Sequence, residues 1–211
     1  MNDRLNKIQN YINPGIGVVD VGTDHGYIPI NLALNSYPGN IFATDLNEAP
    51  LSKAYNNAVL NNVSNRITFI QSDGLDDIKP DTVDTIIIAG MGGDLICDIL
   101  DRAEWTMSKD YSFILQPMTK AEILRYWLIN NGYTIVYDDI IIEQKRPYSI
   151  LYVKYTGEIQ IYSDAQLYVG YSYYDKLIEK VINTLSKKPK SAFFDNIFKR
   201  SNYRAERRQN Y

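Results

Sequence analysis

The sequence predicts an α/β fold in which helices cover both faces of a mostly parallel sheet. Three observations lead to this prediction. Short apolar runs alternate with helical stretches, most of the runs end in a glycine or aspartate turn, and the last two runs have no helix between them. The alternation is typical of βα units, whose strands lie parallel. The last two runs should pair as a hairpin, which makes the final strand antiparallel to its neighbours.

The predicted elements follow one another to residue 155. The strands are expected at residues 16–21, 41–44, 67–71, 85–89 and 112–115, and then at 133–142 and 148–155. The helices are expected at residues 3–12, in a stretch that ends at about residue 36, and at 49–61, 94–104 and 119–131. The segment Glu143-Gln144-Lys145-Arg146-Pro147 separates the last two strands. Seven strands, one of them reversed, are the pattern of a class I methyltransferase sheet of the Rossmann-like type.

Composition limits the class of protein. The chain has 211 residues, 45% of them apolar, which suits one domain or one domain with a small appendage. Cys97 is the only cysteine, so an internal disulfide is excluded, in agreement with a reducing cytoplasm. The N-terminus lacks an apolar signal core, and the run Ile86-Ile87-Ile88 is too short to cross a bilayer. We therefore expect a cytoplasmic protein without a membrane span.

The charge is divided unevenly along the chain. Residues 171–211 hold ten Lys/Arg against four Asp/Glu, whereas residues 1–170 hold twelve against twenty-one. We expect a sheet domain over residues 1–157 and a C-terminal helical appendage over residues 158–211, in which apolar residues between 174 and 198 form two helical stripes. The basic appendage is either a nucleic-acid contact or a solvated helical surface.

The turn after the first predicted strand reads Asp20-x-Gly22-x-Asp24-x-Gly26. In an open α/β sheet, ligands bind beyond the carboxyl ends of the strands, and glycines let the backbone approach them closely. S-adenosylmethionine-dependent methyltransferases often have Asp/Glu-x-Gly-x-Gly-x-Gly here, so Asp24 stands where the middle glycine is usual. The alternative is a simple strand–helix connection.

Two further strand ends carry carboxylates. Asp45 lies 23 residues after Gly22, the spacing at which a carboxylate accepts hydrogen bonds from a ribose diol, or it caps the next helix. Asp73-Gly74 follows the third strand and either accepts from an adenine amino group or forms an ordinary turn.

The fourth strand ends in Ala89-Gly90-Met91-Gly92-Gly93. Amino methyltransferases commonly have Asn/Asp-Pro-Pro-aromatic at this point, and this chain does not. Its glycines permit close approach by cofactor and target base, unless the segment is only a flexible turn.

His25, the one histidine, is a candidate base or phosphate ligand, or a hydrogen-bonded structural residue. The predicted cofactor contacts are Asp20, Gly22, Thr23, His25, Gly26, Asp45, Leu46, Asp73, Gly74, Ala89, Gly90 and Met91. No spacing typical of metal ligands occurs, so we expect no metal.

Several motifs together resemble the bacterial TrmK family of tRNA (adenine-N1)-methyltransferases, which act on adenine 22. They are Val19-Asp20-Val21-Gly22-Thr23-Asp24-His25-Gly26-Tyr27, Ile88-Ala89-Gly90-Met91-Gly92-Gly93, Leu115-Gln116-Pro117 and Leu124-Arg125-x-Trp127-Leu128-x-x-Asn131-Gly132-Tyr133. The resemblance covers residues 4–155. It implies S-adenosyl-L-methionine as cofactor, tRNA as partner, a helical C-terminal domain and a catalytic role for Asp24, which matches the acidic residue beside the cofactor.

Other interpretations stay open on the residues alone. The protein could methylate another RNA or a small molecule, or be a non-catalytic nucleotide-binding module. The presence of Asp20, Asp45 and Asp73 argues against the module, because a degenerate copy does not need all three. The final hairpin and the glycine spacing oppose an NAD-dependent oxidoreductase. We expect a monomer.

Overall fold

The computed structural model describes residues 3–170, which form a seven-stranded sheet with helices packed against it. The strands are β1 Gly17–Val21, β2 Asn40–Asp45, β3 Thr68–Gln71, β4 Thr85–Gly92, β5 Ser112–Thr119, β6 Tyr133–Glu143 and β7 Arg146–Tyr155. The α-helices are α1 Asp3–Gln9, α2 Tyr27–Leu34, α3 Glu48–Leu60, α4 Gly93–Arg102, α5 Ala121–Asn130 and α6 Asp164–Val169.

The strand order is β3-β2-β1-β4-β5-β7-β6. The first five strands are parallel, and β7 is antiparallel to both β5 and β6. The predicted fold class, with its reversed last strand, is therefore confirmed. Because β1 lies between β2 and β4, the strand order switches direction there, and a crevice opens beyond the carboxyl ends of β1 and β4.

The central strands are buried on both faces, as expected for a parallel sheet. All five residues of β1 are buried, and Ile86, Ile87 and Ile88 of β4 are fully inaccessible. Side chains from α1, α2 and α3 complete one core around Ile41, Ile87, Ile114 and Ile150. This packing fixes β1 and β4 against each other, so the turns at their ends start from rigid positions.

Two strands are longer than predicted. β4 continues to Gly92 and β5 to Thr119, and they stay paired through register shifts that begin after Ala89. Glycines and a proline predicted the end of each strand, but a bulged ladder accommodates both, because a bulge leaves one residue unpaired.

The turn between β6 and β7 is shorter than predicted. Only Gln144 and Lys145 form it, at φ 49° and 64°, so that Glu143 pairs with Arg146 and Pro147 lies within β7. Two successive left-handed residues match the twist of the flanking strands and permit a two-residue turn. Pro147 is tolerated because β5 pairs with β7 only as far as Leu151, so no neighbour needs its missing N–H on that side.

A buried ion pair ties α5, β6, β7 and α6 together. The guanidinium of Arg125 is fully buried, and its nitrogens donate to Asp138 at 2.8 and 2.9 Å. It also donates to Ser149 Oγ at 2.7 Å and to the carbonyl of Leu167 in α6 at 3.0 Å. Helix α6 belongs to the same compact unit as the sheet.

The domain boundary after residue 157 stays a prediction, and the helical stripes between 174 and 198 lie outside the described residues. None of the helices within residues 3–170 has the length and apolar character needed to span a membrane. In the same residues no group of His, Cys, Asp and Glu is arranged to hold a metal ion.

The buried pair gives a stability prediction. Arg125→Met should lower the free energy of unfolding by about 3–5 kcal/mol, because it removes the guanidinium that neutralises a buried carboxylate. Urea unfolding followed by circular dichroism measures this change. Lys7→Met, which breaks the more exposed pair between Lys7 and Asp139, is the control and should have a much smaller effect. Equal losses in the two variants would contradict the assignment.

Candidate active site

The turn between β1 and α2 lies at the edge of the crevice. Gly22, Asp24 and Gly26 have φ of 70°, 48° and 72°, so three residues in five adopt the left-handed conformation. Aspartate is among the non-glycine residues that tolerate it, which explains how Asp24 can stand where a glycine is usual. The N–H of Thr23 donates to Thr44 O at 2.8 Å and thereby ties the turn to β2.

Two glycines leave space that a larger residue would fill. A Cβ on Gly22 would collide with the terminal methyl group of Met91, which brings the ends of β1 and β4 into contact. At Gly90, with φ of 84°, a Cβ would meet nothing within 4 Å among the described residues. The end of β4 is therefore open, and a ligand can approach its backbone closely.

Asp45 joins the turns that follow β1 and β2. Its Oδ1 accepts a hydrogen bond from Asn47 N at 3.0 Å, and its Oδ2 is 3.4 Å from Asp24 N. Asn47 occupies the N-cap position of α3, without a side-chain capping hydrogen bond, so Asp45 is not at the position that the alternative interpretation assumed. Two accepted bonds leave further lone pairs on the carboxylate for hydroxyl donors. Leu46 follows it with 58% of its surface exposed.

Asp73 has a partner that the sequence did not predict. Arg102, at the end of α4, donates to both of its carboxylate oxygens at 2.8 and 2.9 Å and to its carbonyl at 3.2 Å. This hydrogen bonding lowers the pKa of Asp73. Gly74 packs closely against Ile99 of the same helix, with φ of 66°. An adenine amino group at Asp73 would share this carboxylate with Arg102.

His25 lies between two charged groups. Its Nε2 is 3.0 Å from Lys53 Nζ and 3.4 Å from Asp24 Oδ2, and its ring stacks on Tyr27 at 5.1 Å between centroids. Nε2 either accepts from the lysine or donates to the aspartate, because one nitrogen cannot do both at once. The side chain of Asp24 is 63% exposed and points away from the core. The sequence did not predict Lys53, since nothing in its spacing marks it, and it indicated Tyr27 only as part of the motif that resembles the TrmK family.

The end of β4 lies beside that of β5. Gln116 is opposite Ala89, is almost fully buried, and donates to Pro117 O at 2.9 Å. Lys120 forms an ion pair with Asp94 at the start of α4. These residues were not predicted as site residues.

The contacts at the strand ends form two groups. At one end of the crevice, Asp24 N approaches Asp45 and Gly22 contacts Met91. Asp73 lies apart from them, against α4.

Asp20 is buried at the end of β1, and its Oδ2 accepts from the hydroxyl of Thr23 at 2.7 Å. Burial, opposed by the Thr23 hydrogen bond and aided by the charge of Asp45, raises the pKa of Asp20 to about 7. Thr44 lies opposite Val21 in the pairing of β1 with β2, and its buried Oγ1 has no hydrogen-bond partner among residues 3–170. The base of the crevice therefore holds a carboxyl group that is costly to ionise.

The raised pKa of Asp20 predicts a pH dependence of stability. Between about pH 4 and pH 7 the unfolded chain loses this proton while the folded chain keeps it, so the free energy of unfolding falls as the pH rises. Asp20→Asn removes this dependence, so its stability relative to the parent should improve between pH 5 and pH 8. Urea titrations without cofactor at both pH values measure the difference. A difference that is the same at both would refute the assignment.

Comparison with known proteins identifies the family. The family described as methyltransferase domain matches residues 1–151. A tRNA (adenine(22)-N(1))-methyltransferase of Bacillus subtilis (strain 168) is 30% identical over 170 residues, which are 81% of this chain and 71% of the relative.

Two solved structures contain the cofactor or its product. Streptococcus pneumoniae Sp1610 in complex with S-adenosyl-L-methionine superposes with a TM-score of 0.79 at 28% identity, covering 89% of each chain. M. capricolum TrmK in complex with S-adenosyl-homocysteine gives 0.75 at 26% identity, covering 96% of this chain and 95% of that one. Since the fold, the strand-end residues and these relatives agree, the chain belongs to the TrmK family of tRNA (adenine-22-N1)-methyltransferases.

Proposed function

We propose that this protein transfers a methyl group from S-adenosyl-L-methionine to ring N1 of adenine 22 in tRNA. The observation that carries the proposal is the exposed carboxylate of Asp24, held in a left-handed turn at the crevice. Membership of the TrmK family supports the substrate. A tRNA substrate also supports the expected cytoplasmic location, and we keep the expected monomer as part of the proposal.

The residues at the strand ends fit the cofactor. The left-handed β1–α2 turn and the open end of β4 at Gly90 leave room for a ligand that contacts backbone. We assign Asp45 to the ribose hydroxyls and Asp73-Gly74 to the adenine. The remaining proposed contacts are Asp20, Gly22, Thr23, His25, Gly26, Leu46, Ala89, Gly90 and Met91. When bound, S-adenosyl-L-methionine supplies an electrophilic methyl group on a sulfonium.

Asp24 is the proposed catalytic residue. The N1 lone pair of a neutral adenine is itself nucleophilic, so the protein mainly has to position the base. Methylation makes the ring cationic, and the carboxylate of Asp24 either stabilises that charge or takes a proton from the exocyclic amine. In both roles the side chain must reach the base, and its 63% exposure allows this.

The glycines at the end of β4 explain how the base reaches the site. The chain has Ala89-Gly90-Met91-Gly92-Gly93 where amino methyltransferases have a proline-containing segment. At Gly90, where a Cβ would meet nothing within 4 Å among the described residues, the flat face of an adenine can lie against the backbone. The adenine must leave any pairing or stacking in the tRNA fold to enter, which costs a few kcal/mol.

The reaction can be tested directly. The purified protein, incubated with labelled cofactor and transcribed tRNA, should produce N1-methyladenosine, as measured by mass spectrometry of the nucleosides. A tRNA with guanine at position 22 is the matched control and should remain unmodified. Equal methylation of the two transcripts would exclude position 22 as the target.

Asp24→Asn tests the catalytic assignment. It keeps the size and the turn preference of the residue but removes its charge, so the rate constant for methylation should fall by about 100-fold or more. The Kd for S-adenosyl-homocysteine, measured by calorimetry, should stay within about threefold of the parent. A variant that binds cofactor and methylates tRNA at the parent rate would remove Asp24 from catalysis.

Gly22→Ala tests the cofactor turn. The new methyl group would strain a positive φ and displace Met91, so the affinity for S-adenosyl-homocysteine should fall by about tenfold or more. Gly157→Ala is a matched control, because Gly157 has a φ of 78° and lies outside the crevice. Its Cβ would come no closer than 4.0 Å to another group, so it shares the backbone strain without the collision. Equal losses of affinity in the two variants would contradict the cofactor role of the turn.

A further inference from the structure

The tip of the β6–β7 hairpin lies at the same edge of the sheet as the crevice. The register Leu115↔Leu151 is antiparallel, so the start of β7 runs alongside and beyond the carboxyl end of β5. Arg4 of α1 lies between β5 and the hairpin tip. Its Nη1 is 2.8 Å from Sδ of Met118 in β5, and its Nε is 3.7 Å from a carboxylate oxygen of Glu143, the last residue of β6. Met118 follows the stretch of β5 that pairs with Ala89 and Met91, so this tip borders the proposed base site.

The guanidinium of Arg4 has weak acceptors. A thioether sulfur is a poor hydrogen-bond acceptor, and Glu143 is beyond hydrogen-bond distance. Its Nε is buried and has no hydrogen-bond partner among residues 3–170, while the group stacks over the ring of Tyr148, 5.0 Å from the centroid. A mostly buried guanidinium in this state gains free energy from a strong, charged acceptor.

The surface around Arg4 has a small excess of cations, three against two carboxylates, in contrast to the acidic excess of the rest of the domain. Lys145 and Arg146 are exposed at the turn, and the acidic residues beside them are Glu143, opposite Arg146, and Asp3, next to Arg4. Residues 1–170 together hold twelve Lys/Arg and twenty-one Asp/Glu. Most of this domain therefore repels a polyanion, and the hairpin tip is a place beside the crevice where one can approach.

We propose that Arg4, Lys145, Arg146 and Tyr148, which we call the hairpin rim, bind backbone phosphates of the RNA that carries the target adenine. This inference rests on the proposed function and adds a docking surface to it. Arg4 offers a planar fork to one phosphate oxygen pair, and the two turn residues contact phosphates further along the strand. Such contacts orient the RNA without touching the reacting atoms, so they act on tRNA binding.

The test compares two double variants of equal charge change. Lys145→Gln/Arg146→Gln removes two cations from the rim. Lys79→Gln/Lys109→Gln removes two exposed cations from loops that precede β4 and β5, at the opposite edge of the sheet. The Kd for transcribed tRNA is measured by fluorescence anisotropy between 50 and 200 mM salt (about the range over which phosphate contacts are resolved), and KM and kcat are measured by methyl incorporation.

The rim variant should bind tRNA about tenfold more weakly and lose about 1–2 units from the slope of log K against log salt concentration. Its KM for tRNA should rise by a similar factor with kcat nearly unchanged, and its affinity for S-adenosyl-homocysteine should not change. The control variant should keep the parent affinity and slope.

Two results would overturn the rim. One is parent-like tRNA affinity and salt slope in the rim variant, and the other is an equal loss in both double variants, which reports net charge alone. Arg4→Lys and Arg4→Gln extend the test, because the lysine variant should retain more of the salt slope than the glutamine variant. The hairpin rim is tested by the tRNA affinity of the variants, whereas the proposed function is tested by methylation with the parent protein. The two proposals can therefore fail separately.

Discussion

The left-handed turn after β1 is the constraint on which the site depends. Thr23 N–H donates to the carbonyl of Thr44, and Asp24 N–H points toward the carboxylate of Asp45, so the turn is held by the neighbouring strand. Gly22 adopts φ 70°, a conformation that strains a residue with a Cβ, and the flexible end of Met91 lies against it. One short segment therefore fixes the relative positions of the ends of β1, β2 and β4, and each of these ends contributes a proposed ligand contact.

The same turn places three carboxyl groups in different environments. Asp20 is buried and its pKa is raised to about 7, Asp45 accepts backbone hydrogen bonds, and Asp24 is exposed beside His25 and Lys53. Groups of one chemical type take different roles when their surroundings differ. The buried group is suited to hydrogen bonding within the fold, and the exposed one is suited to interact with a cationic product.

The fold could be predicted from the sequence because it follows from the spacing of apolar residues and from the order of strands and helices along the chain. The sequence also predicted that the turns after β1, β2 and β4 come together, since the carboxyl ends of adjacent parallel strands converge. It could not predict that Arg102 pairs with Asp73 or that Lys53 lies beside His25. Those contacts join residues 28 or 29 positions apart, and they depend on the rotation of α3 and α4 about their axes. The two-residue hairpin turn was missed because Gln144 and Lys145 are not typical left-handed residues.

The hairpin turn also has a consequence for substrate access. A five-residue loop would end the strands earlier, whereas the two-residue turn keeps Glu143 and Arg146 paired and extends the ladder beyond Leu151, where the pairing of β7 with β5 ends. Lys145 is thereby presented at φ 64° on a defined tip, which lowers the entropy lost when it contacts a partner. In this domain acidic side chains outnumber basic ones, and its proposed substrate is a polyanion. Its cations are therefore most effective when they are held at fixed positions near the reaction. The ladder, together with Arg4 on Tyr148, supplies such positions at the edge where the proposed methyl transfer takes place.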